Sequence, residues 1–194
     1  MKVIVVGASG TIGKAVADAL ATRHQVLRAS RNGTLNVDIS RPSSIGAMYR
    51  NAGRVDAVVC CAGEVRYGIL GKLTEEDFAY SLGNKLMGQV NLVRQGVESM
   101  NDRGAFILTA GFFSRSPMPG VPAAALVNGA LESFARAAAL DLPRGIRVNV
   151  ISPPWIKETA ERLGIHASLT AAENAKVYVG VLEGDQTGEV IFPG

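Results

Sequence analysis

The stretch KVIVVGASGTIGKAVADAL, residues 2–20, decides the fold of this chain. Residues 3–6 are a short β-branched run, which is typical of a parallel strand buried on both faces. Three glycines follow it, and we expect Gly7 to permit a tight turn, Gly10 to let a pyrophosphate approach and Gly13 to let helix pack on strand. Because a helix start presents free N–H groups and a positive dipole end to an anion, the stretch predicts a dinucleotide site. The other interpretation is a βα turn with a purely structural role.

The rest of the chain alternates predicted strands and helices. Strands are predicted at residues 25–29, 35–39, 57–61, 106–109, 147–151 and 188–192, and helices at residues 43–51, 74–100, 123–140 and 170–182. Thr74 and Asp77 form a capping-box pattern, and Gly83 predicts a bend in the helix that they open. The alternation predicts an α/β fold, a doubly wound parallel (Rossmann) sheet of about seven strands with helices on both faces. We expect residues 1–194 to form one domain.

Composition and charge exclude several classes of function. The chain of 194 residues is 47% hydrophobic and 19% charged, as expected of a globular interior. Its net charge of +3 is scattered, so neither nucleic acid nor a membrane surface is indicated as a partner. The N-terminus has no export pattern and no apolar run is long enough to cross a bilayer, which predicts a cytoplasmic protein. Cys60 and Cys61 are adjacent, which predicts reduced thiols and neither a disulfide nor a metal site.

The end of the second predicted strand indicates which nucleotide binds. An acidic residue at this point binds the ribose 2′-hydroxyl of NAD, whereas an arginine accommodates the 2′-phosphate of NADP. The sequence has Ser30 and Arg31 there and no carboxylate, which favours NADP; the alternative for Arg31 is a solvated turn residue. Asp38 is placed to accept from the adenine amino group and Ile39 to pack on the ring, although Asp38 could equally cap the next helix.

The chain resembles the short-chain dehydrogenase/reductase family along essentially its whole length, and three stretches carry this resemblance. They are GASGTIG at residues 7–13, CCAG at residues 60–63 and NGALESFARAAALDLPRGIRVNVISPPW at residues 128–155. The resemblance implies the same fold and nucleotide site, and it places Ile156 where a backbone amide meets the nicotinamide carboxamide. The predicted cofactor-binding residues are Gly7, Ser9, Gly10, Thr11, Ile12, Gly13, Ser30, Arg31, Asp38, Ile39, Cys61, Ala62, Gly63, Pro153 and Ile156.

The residues that carry catalysis in this family are missing from the chain. The family pattern implies a tyrosine general acid, a lysine one helical turn later and a serine further upstream. Aligned through GALESFARA, these positions hold Ala124, Asn128 and Gly111. The position of the family's asparagine, just before a glycine, holds Lys85. The usual mechanism of the family is therefore not available at these positions.

Lys85 and Asn128 are the predicted catalytic residues. Lys85, if it faces the cleft, is a proton donor whose pKa burial would lower and a fixed charge that polarises a carbonyl; the alternative is a solvated helix lysine. Asn128 keeps the ability to hydrogen-bond the nicotinamide ribose. The hydroxyls of Tyr67, Ser114 and Ser116 are weaker candidates, and we interpret them as surface groups.

Two hypotheses of function follow. The first is an NADP(H)-dependent oxidoreductase of short-chain type that acts on a small carbonyl or alcohol through a non-standard proton donor. The second is a non-catalytic NADP(H)-binding protein, a sensor or interaction protein on the same fold. The short segment after the sixth strand favours a small substrate, with Trp155, Phe112 and Phe113 as apolar walls or as ordinary packing residues. Helices at residues 84–100 and 123–140 imply a homodimer or homotetramer, because family members commonly pair through them.

Overall fold

Seven parallel strands form one sheet in the computed structural model, which describes residues 1–193. The strands are β1 (Lys2–Val6), β2 (Gln25–Ser30), β3 (Leu35–Asn36), β4 (Val55–Cys60), β5 (Met100–Thr109), β6 (Arg147–Ile151) and β7 (Val190–Ile191). Their order across the sheet is β3-β2-β1-β4-β5-β6-β7. The chain therefore reverses its direction of travel between β1 and β4, and this is the switch point at which open α/β sheets bind ligands. The predicted doubly wound parallel fold is confirmed.

Helices cover both faces of the sheet. They are α1 (Thr11–Ala21), α2 (Pro42–Ala52), α3 (Glu75–Ser81), α4 (Met87–Gly96), α5 (Pro122–Asp141), α6 (Lys157–Ala160) and α7 (Ala171–Glu183). Because successive side chains of a strand point to opposite faces, β1 supplies two cores. Val3 and Val5 pack with α1 and α7, whereas Ile4 and Val6 pack with α2, α4 and α5.

Several strand boundaries differ from the sequence-based prediction, including those of β4 and of β7, which is shorter than the predicted residues 188–192. β3 pairs with β2 through two residues only, because the chain turns away at Asp38 towards α2. β5 begins at Met100, although a helix is predicted to reach that residue and the strand to begin at residue 106. The polar sequence after Met100 hides this extension from periodicity, and the register with β4 shifts between Val55 and Ala57.

The helix predicted at residues 74–100 is a continuous series of helical segments that differ in type. Thr74 caps α3 through the expected capping box with Asp77. A π-helical turn, Leu82–Leu86, then joins α3 to α4, and a short 3-10 turn follows α4. Gly83, where a bend is predicted, lies inside the π turn. Such turns rotate the following residues relative to a regular helix and occur often at functional sites.

Residues 1–193 contain neither a membrane-spanning helix nor a cluster of metal-binding side chains. Within this range, each helix lacks either the length or the apolar composition needed to cross a bilayer. In the same range, no three His, Cys, Asp or Glu side chains come together in a way that could hold a metal ion.

Candidate functional site

A cleft runs along the carboxyl ends of the central strands and contains two cavities that share Cys61, Ala62 and Gly63. The first, about 240 Å³, lies over β1 and β2, and we call it the glycine-turn cavity. The second, about 210 Å³, lies over β4, β5 and β6, and we call it the lysine cavity. Residues 61–63 follow β4 directly, so the cleft opens at the switch point of the sheet.

The glycine turn is held by close backbone contacts. Gly7 has a φ of +82°, and a Cβ on it would lie 2.9 Å from the backbone nitrogen of Ala62. A Cβ on Gly13 would lie 2.1 Å from the carbonyl oxygen of Gly7. At Gly10 the nearest atom to a Cβ would be 3.4 Å away, and Gly10 lines the cavity. Gly7 and Gly13 are thus required for packing, whereas Gly10 leaves free space for a ligand.

The start of α1 fits an anion. Its N-cap, Gly10, provides no side-chain cap, and the first turn holds no acidic residue. The first amides of a helix have no intrahelical acceptor, so they are available to a ligand. Arg162, from the 3-10 turn after α6, donates to Oγ1 of Thr11 at 2.9 Å and adds positive charge there. Sequence reasoning did not find Arg162, because 151 residues separate it from Thr11.

Arg31 lies on the glycine-turn cavity together with a carboxylate that the sequence analysis missed. Its Nη2 is 3.0 Å from Oε1 of Glu64, which lies just after Gly63. The other oxygen of Glu64 accepts from the hydroxyl of Tyr80, and this hydrogen bond raises the pKa of Tyr80. The position of Glu64, at the carboxyl end of a central strand, is the signal that could have revealed it.

Asp38 and Ile39 also line the glycine-turn cavity. Oδ1 of Asp38 accepts from the hydroxyl of Ser40 at 2.7 Å, and hydrogen bonds from Ser40 lower the pKa of Asp38. The N-cap of α2 is Arg41, so Asp38 does not cap that helix with its side chain. Its carboxylate is ionised at the cavity wall and can accept from a ligand amino group.

Lys85 lies in the lysine cavity and is held there by neutral acceptors. Its Nζ donates to the carbonyl oxygen of Ala110 at 2.8 Å and to Oδ1 of Asn128 at 2.9 Å. The π turn aims the side chain across Gly63, where a Cβ would lie 2.5 Å from Cγ of Lys85. Desolvation lowers the pKa of Lys85 to about 8. The amine can therefore lose its proton near pH 8, and it is not a solvated helix lysine.

Asn128 is buried on α5, with 2% of its surface exposed. A Cβ on Gly111 would lie 3.0 Å from its Nδ2, so the glycine makes room for the amide. Ala124 lines the same cavity one turn earlier on α5. The neighbouring Asn84 lines the glycine-turn cavity instead, and its Oδ1 accepts from the backbone N–H of Glu64 at 2.8 Å.

Aromatic side chains form the outer wall of the lysine cavity. The Phe113 and Trp155 rings lie 5.6 Å apart, edge to face, and Phe112 lies 4.5 Å from Phe113. Tyr67 also lines the cavity, with 60% of its surface exposed. These rings pack against one another and also line the cavity. The sequence analysis offered packing and a cavity wall as alternatives, and both apply.

A buried glutamate connects the two loops that flank this cavity through hydrogen bonds. Oε1 of Glu132 accepts from the hydroxyls of Ser114 and Ser152, each at 2.7 Å. The backbone N–H of Phe112 also donates to the carbonyl of Pro153 at 3.1 Å. Ser114 thus has a structural partner away from the cavity. Ser116 is exposed and likewise does not line it.

Most of the predicted cofactor-binding residues lie along the cleft. The glycine-turn cavity is lined by Gly7, Ser9, Gly10, Ser30, Arg31, Asp38 and Ile39, the lysine cavity by Ile12, Pro153 and Ile156, and both by Cys61, Ala62 and Gly63. Thr11 faces an outer groove with Arg162, and Gly13 packs beneath the glycine turn. Neither of these two lines the cleft.

The two cysteines are free thiols. Burial raises the pKa of Cys60 to about 12, and burial also raises the pKa of Cys61. The thiolate form is the reactive one, so both are poor nucleophiles in this fold. Cys61 serves as a cleft wall.

Comparison with known proteins identifies the family. The sequence profile of a family described as Enoyl-(Acyl carrier protein) reductase matches residues 2–190. The chain belongs to the short-chain dehydrogenase/reductase family. The resemblance seen in the sequence is thereby confirmed, and the family is one of oxidoreductases.

Individual members show how far the similarity extends. The 2,3-dihydro-2,3-dihydroxybenzoate dehydrogenase of Escherichia coli (strain K12) is 30% identical over 121 residues, 56% of this chain and 49% of that protein. The chain spans about half the length of several of the curated relatives that it matches. The crystal structure of the protein lin1944 from Listeria innocua has a TM-score of 0.97 at 38% identity and covers 100% of both chains. A small-chain dehydrogenase in complex with NADPH has a TM-score of 0.90 at 24% identity, covering 100% of this chain and 96% of that one.

Compared with the short-chain dehydrogenase/reductase pattern, the lysine cavity has a lysine and an asparagine in each other's positions. The resemblance seen in the sequence aligns Asn128, on α5, with the family's lysine, and Lys85, on the π turn, with its asparagine. The two side chains are in contact at 2.9 Å. The cavity therefore keeps one ammonium group and one amide, with their places reversed.

Proposed function

We propose that this protein is an NADP(H)-dependent oxidoreductase that interconverts a small carbonyl compound and its alcohol, with Lys85 as the proton donor. The observation that carries the proposal is the position of the Lys85 amine. It lies in a cavity continuous with the glycine-turn cavity, and one of its three N–H donors is left for a substrate oxygen.

The glycine-turn cavity fits a dinucleotide. Gly10 leaves space that a Cβ would fill, the uncapped start of α1 offers amides to a pyrophosphate, and Asp38 offers an acceptor to the adenine. Pro153 and Ile156 line the other cavity, where the nicotinamide would lie. When bound, the cofactor supplies the hydride.

The residues of the lysine cavity would do the remaining chemistry. In the reducing direction, Lys85 polarises the carbonyl and gives a proton to its oxygen as the hydride reaches the carbon, and the neutral amine then regains a proton from water. Asn128 and the carbonyl of Ala110 hold the amine in place through its other protons. The aromatic wall of Phe112 and Trp155 offers an apolar surface, which favours small apolar substrates.

Arg31 supports NADP over NAD, because its guanidinium stands at the end of β2 on the cavity wall. A guanidinium binds a phosphate through charge-assisted hydrogen bonds. The ion pair with Glu64 reduces this preference for NADP, since the guanidinium of Arg31 already has an anionic partner.

A second candidate function is binding without turnover, as a sensor of NADP(H) or through a partner surface. Ala124 and Gly111 favour it, because they stand where the family has its tyrosine and serine. On this alternative, Lys85 and Asn128 would only hold the nicotinamide end of the cofactor.

The test compares binding with turnover. NADPH fluorescence should report binding under both hypotheses. Incubation with a panel of aldehydes, ketones and quinones should consume NADPH only if the protein is an enzyme. Binding without consumption across the panel would favour the sensor, and no interaction at millimolar NADPH or NADH would exclude both.

We also propose that the protein is a cytoplasmic homodimer or homotetramer that pairs through α4 and α5. Met87 on α4 and Leu126 on α5 are 43% and 50% exposed, although both are large and apolar. Light scattering of the purified protein measures the assembly, and Leu126→Lys should shift it towards the monomer.

A further inference from the structure

The glycine-turn cavity contains a negatively charged group, Glu64, beside the positively charged Arg31 that follows β2. Its Oε1 lies 3.0 Å from Nη2 of Arg31, and both residues line the glycine-turn cavity. Glu64 comes from the segment after β4 and not from β2. The cation assigned to the 2′-phosphate thus already has a counter-ion within the protein.

Glu64 is fixed in this position from several directions. Its backbone N–H donates to Oδ1 of Asn84 at 2.8 Å, and its Oε2 accepts from the hydroxyl of Tyr80. The guanidinium of Arg66 in turn lies 4.0 Å from the centre of the Tyr80 ring. With 48% of its side chain exposed, the carboxylate remains accessible to a ligand.

The two cofactors meet this pair of charges differently. A 2′-phosphate has to compete with Glu64 for Arg31 and lies close to a like charge. A 2′-hydroxyl carries no charge, and it can donate a hydrogen bond to the carboxylate. The arginine therefore favours NADPH, and the glutamate works against that preference.

We propose that Glu64 is a specificity-determining residue that reduces the preference of the site for NADPH over NADH. The proposal rests on the proposed function, because it requires a dinucleotide in the glycine-turn cavity. It goes further in assigning cofactor selectivity to the balance of two side chains from different strand ends. Arg31 alone does not set the selectivity.

Titration calorimetry tests the proposal without reference to activity. NADPH, NADH, 2′,5′-ADP and 5′-AMP are titrated into the wild type, Glu64→Gln and Glu98→Gln. In Glu64→Gln the affinity for NADPH and 2′,5′-ADP should rise about fivefold, the scale of an exposed charge pair, while NADH and 5′-AMP bind equally or more weakly. Glu98, exposed in the 3-10 turn before β5, is the matched control, and its variant should bind all four ligands as the wild type does.

Arg31→Ala provides the second comparison. Since the 2′-phosphate and Glu64 compete for the guanidinium of Arg31, adding Glu64→Gln to Arg31→Ala should raise NADPH affinity by less than about twofold, because only the solvent-screened repulsion between carboxylate and phosphate then remains. An unchanged or weaker NADPH affinity in Glu64→Gln, or an equal gain with Arg31 removed, overturns the proposal. If the wild type binds neither cofactor, the proposed function itself fails, whereas normal wild-type binding with no effect of Glu64→Gln refutes only the role of Glu64.

Discussion

The two cavities of the cleft share residues 61–63 but differ in how they relate to the family pattern. The glycine-turn cavity keeps that pattern, because Gly7 has a positive φ and a Cβ on Gly13 would clash with the carbonyl oxygen of Gly7. The lysine cavity has lost the family's tyrosine position and has exchanged the lysine and asparagine positions. The difference teaches that the turn at the first cavity and the side chains of the second cavity can vary independently in this fold.

Among variants that test this comparison, we expect Lys85→Met to have the largest effect on activity. The variant keeps the length of the side chain and removes the proton, so kcat should fall about a hundredfold or more. NADPH affinity should change by less than about twofold, because the amine contacts Ala110 and Asn128 and not the glycine turn. Steady-state kinetics and fluorescence titration measure the two quantities.

Two control variants accompany Lys85→Met. Lys72→Met removes an exposed lysine outside the cleft and should leave kcat unchanged. Tyr67→Phe removes another proton-bearing group on the cavity wall and should also leave most of the activity. Full activity of Lys85→Met together with its loss in Tyr67→Phe would move the donor role to the tyrosine.

Two glycine variants should separate folding from binding in the first cavity. Gly13→Ala places a Cβ 2.1 Å from the Gly7 oxygen, and overpacking of this kind lowers the free energy of unfolding by about 1–3 kcal/mol. Gly10→Ala meets nothing closer than 3.4 Å, so it should fold normally and lose NADPH affinity about tenfold or more. Urea unfolding and NADPH titration distinguish them. Equal stability of both variants would contradict the packing role of Gly13.

The sequence predicts the first cavity better than the second, for physical reasons. Glycine spacing and strand ends are local features, so Gly10, Arg31 and Asp38 could be placed on the cleft without coordinates. Contacts between distant segments could not: the partners of Glu64 and Arg162 lie on other elements. The orientation of Lys85 depends on a π turn, whereas hydrophobic periodicity predicts a regular helix there and Gly83 predicts only a bend.

The pH dependence of reduction should report the Lys85 amine. Desolvation lowers the pKa of Lys85 to about 8, and the group gives its proton only when it is charged. The rate of carbonyl reduction should therefore be level below about pH 7 and fall about tenfold per unit well above pH 8. Alcohol oxidation, which needs the neutral amine, should rise with pH and level off above the same value. Profiles without a break near this pH would show that another group transfers the proton.

The smallest of these effects concerns Arg31 and tests whether the first cavity reads the 2′-phosphate at all. A charge-assisted hydrogen bond contributes about 1.5–3 kcal/mol. Since 67% of the Arg31 side chain is exposed and Glu64 competes for it, we expect the lower end of that range. Arg31→Ala should weaken NADPH binding about tenfold and leave NADH binding nearly unchanged. Arg28→Ala, which removes another arginine of β2 that pairs with Asp18, is the matched control. Equal losses for the two cofactors would mean that the guanidinium supports the fold of the turn and not the recognition of a phosphate.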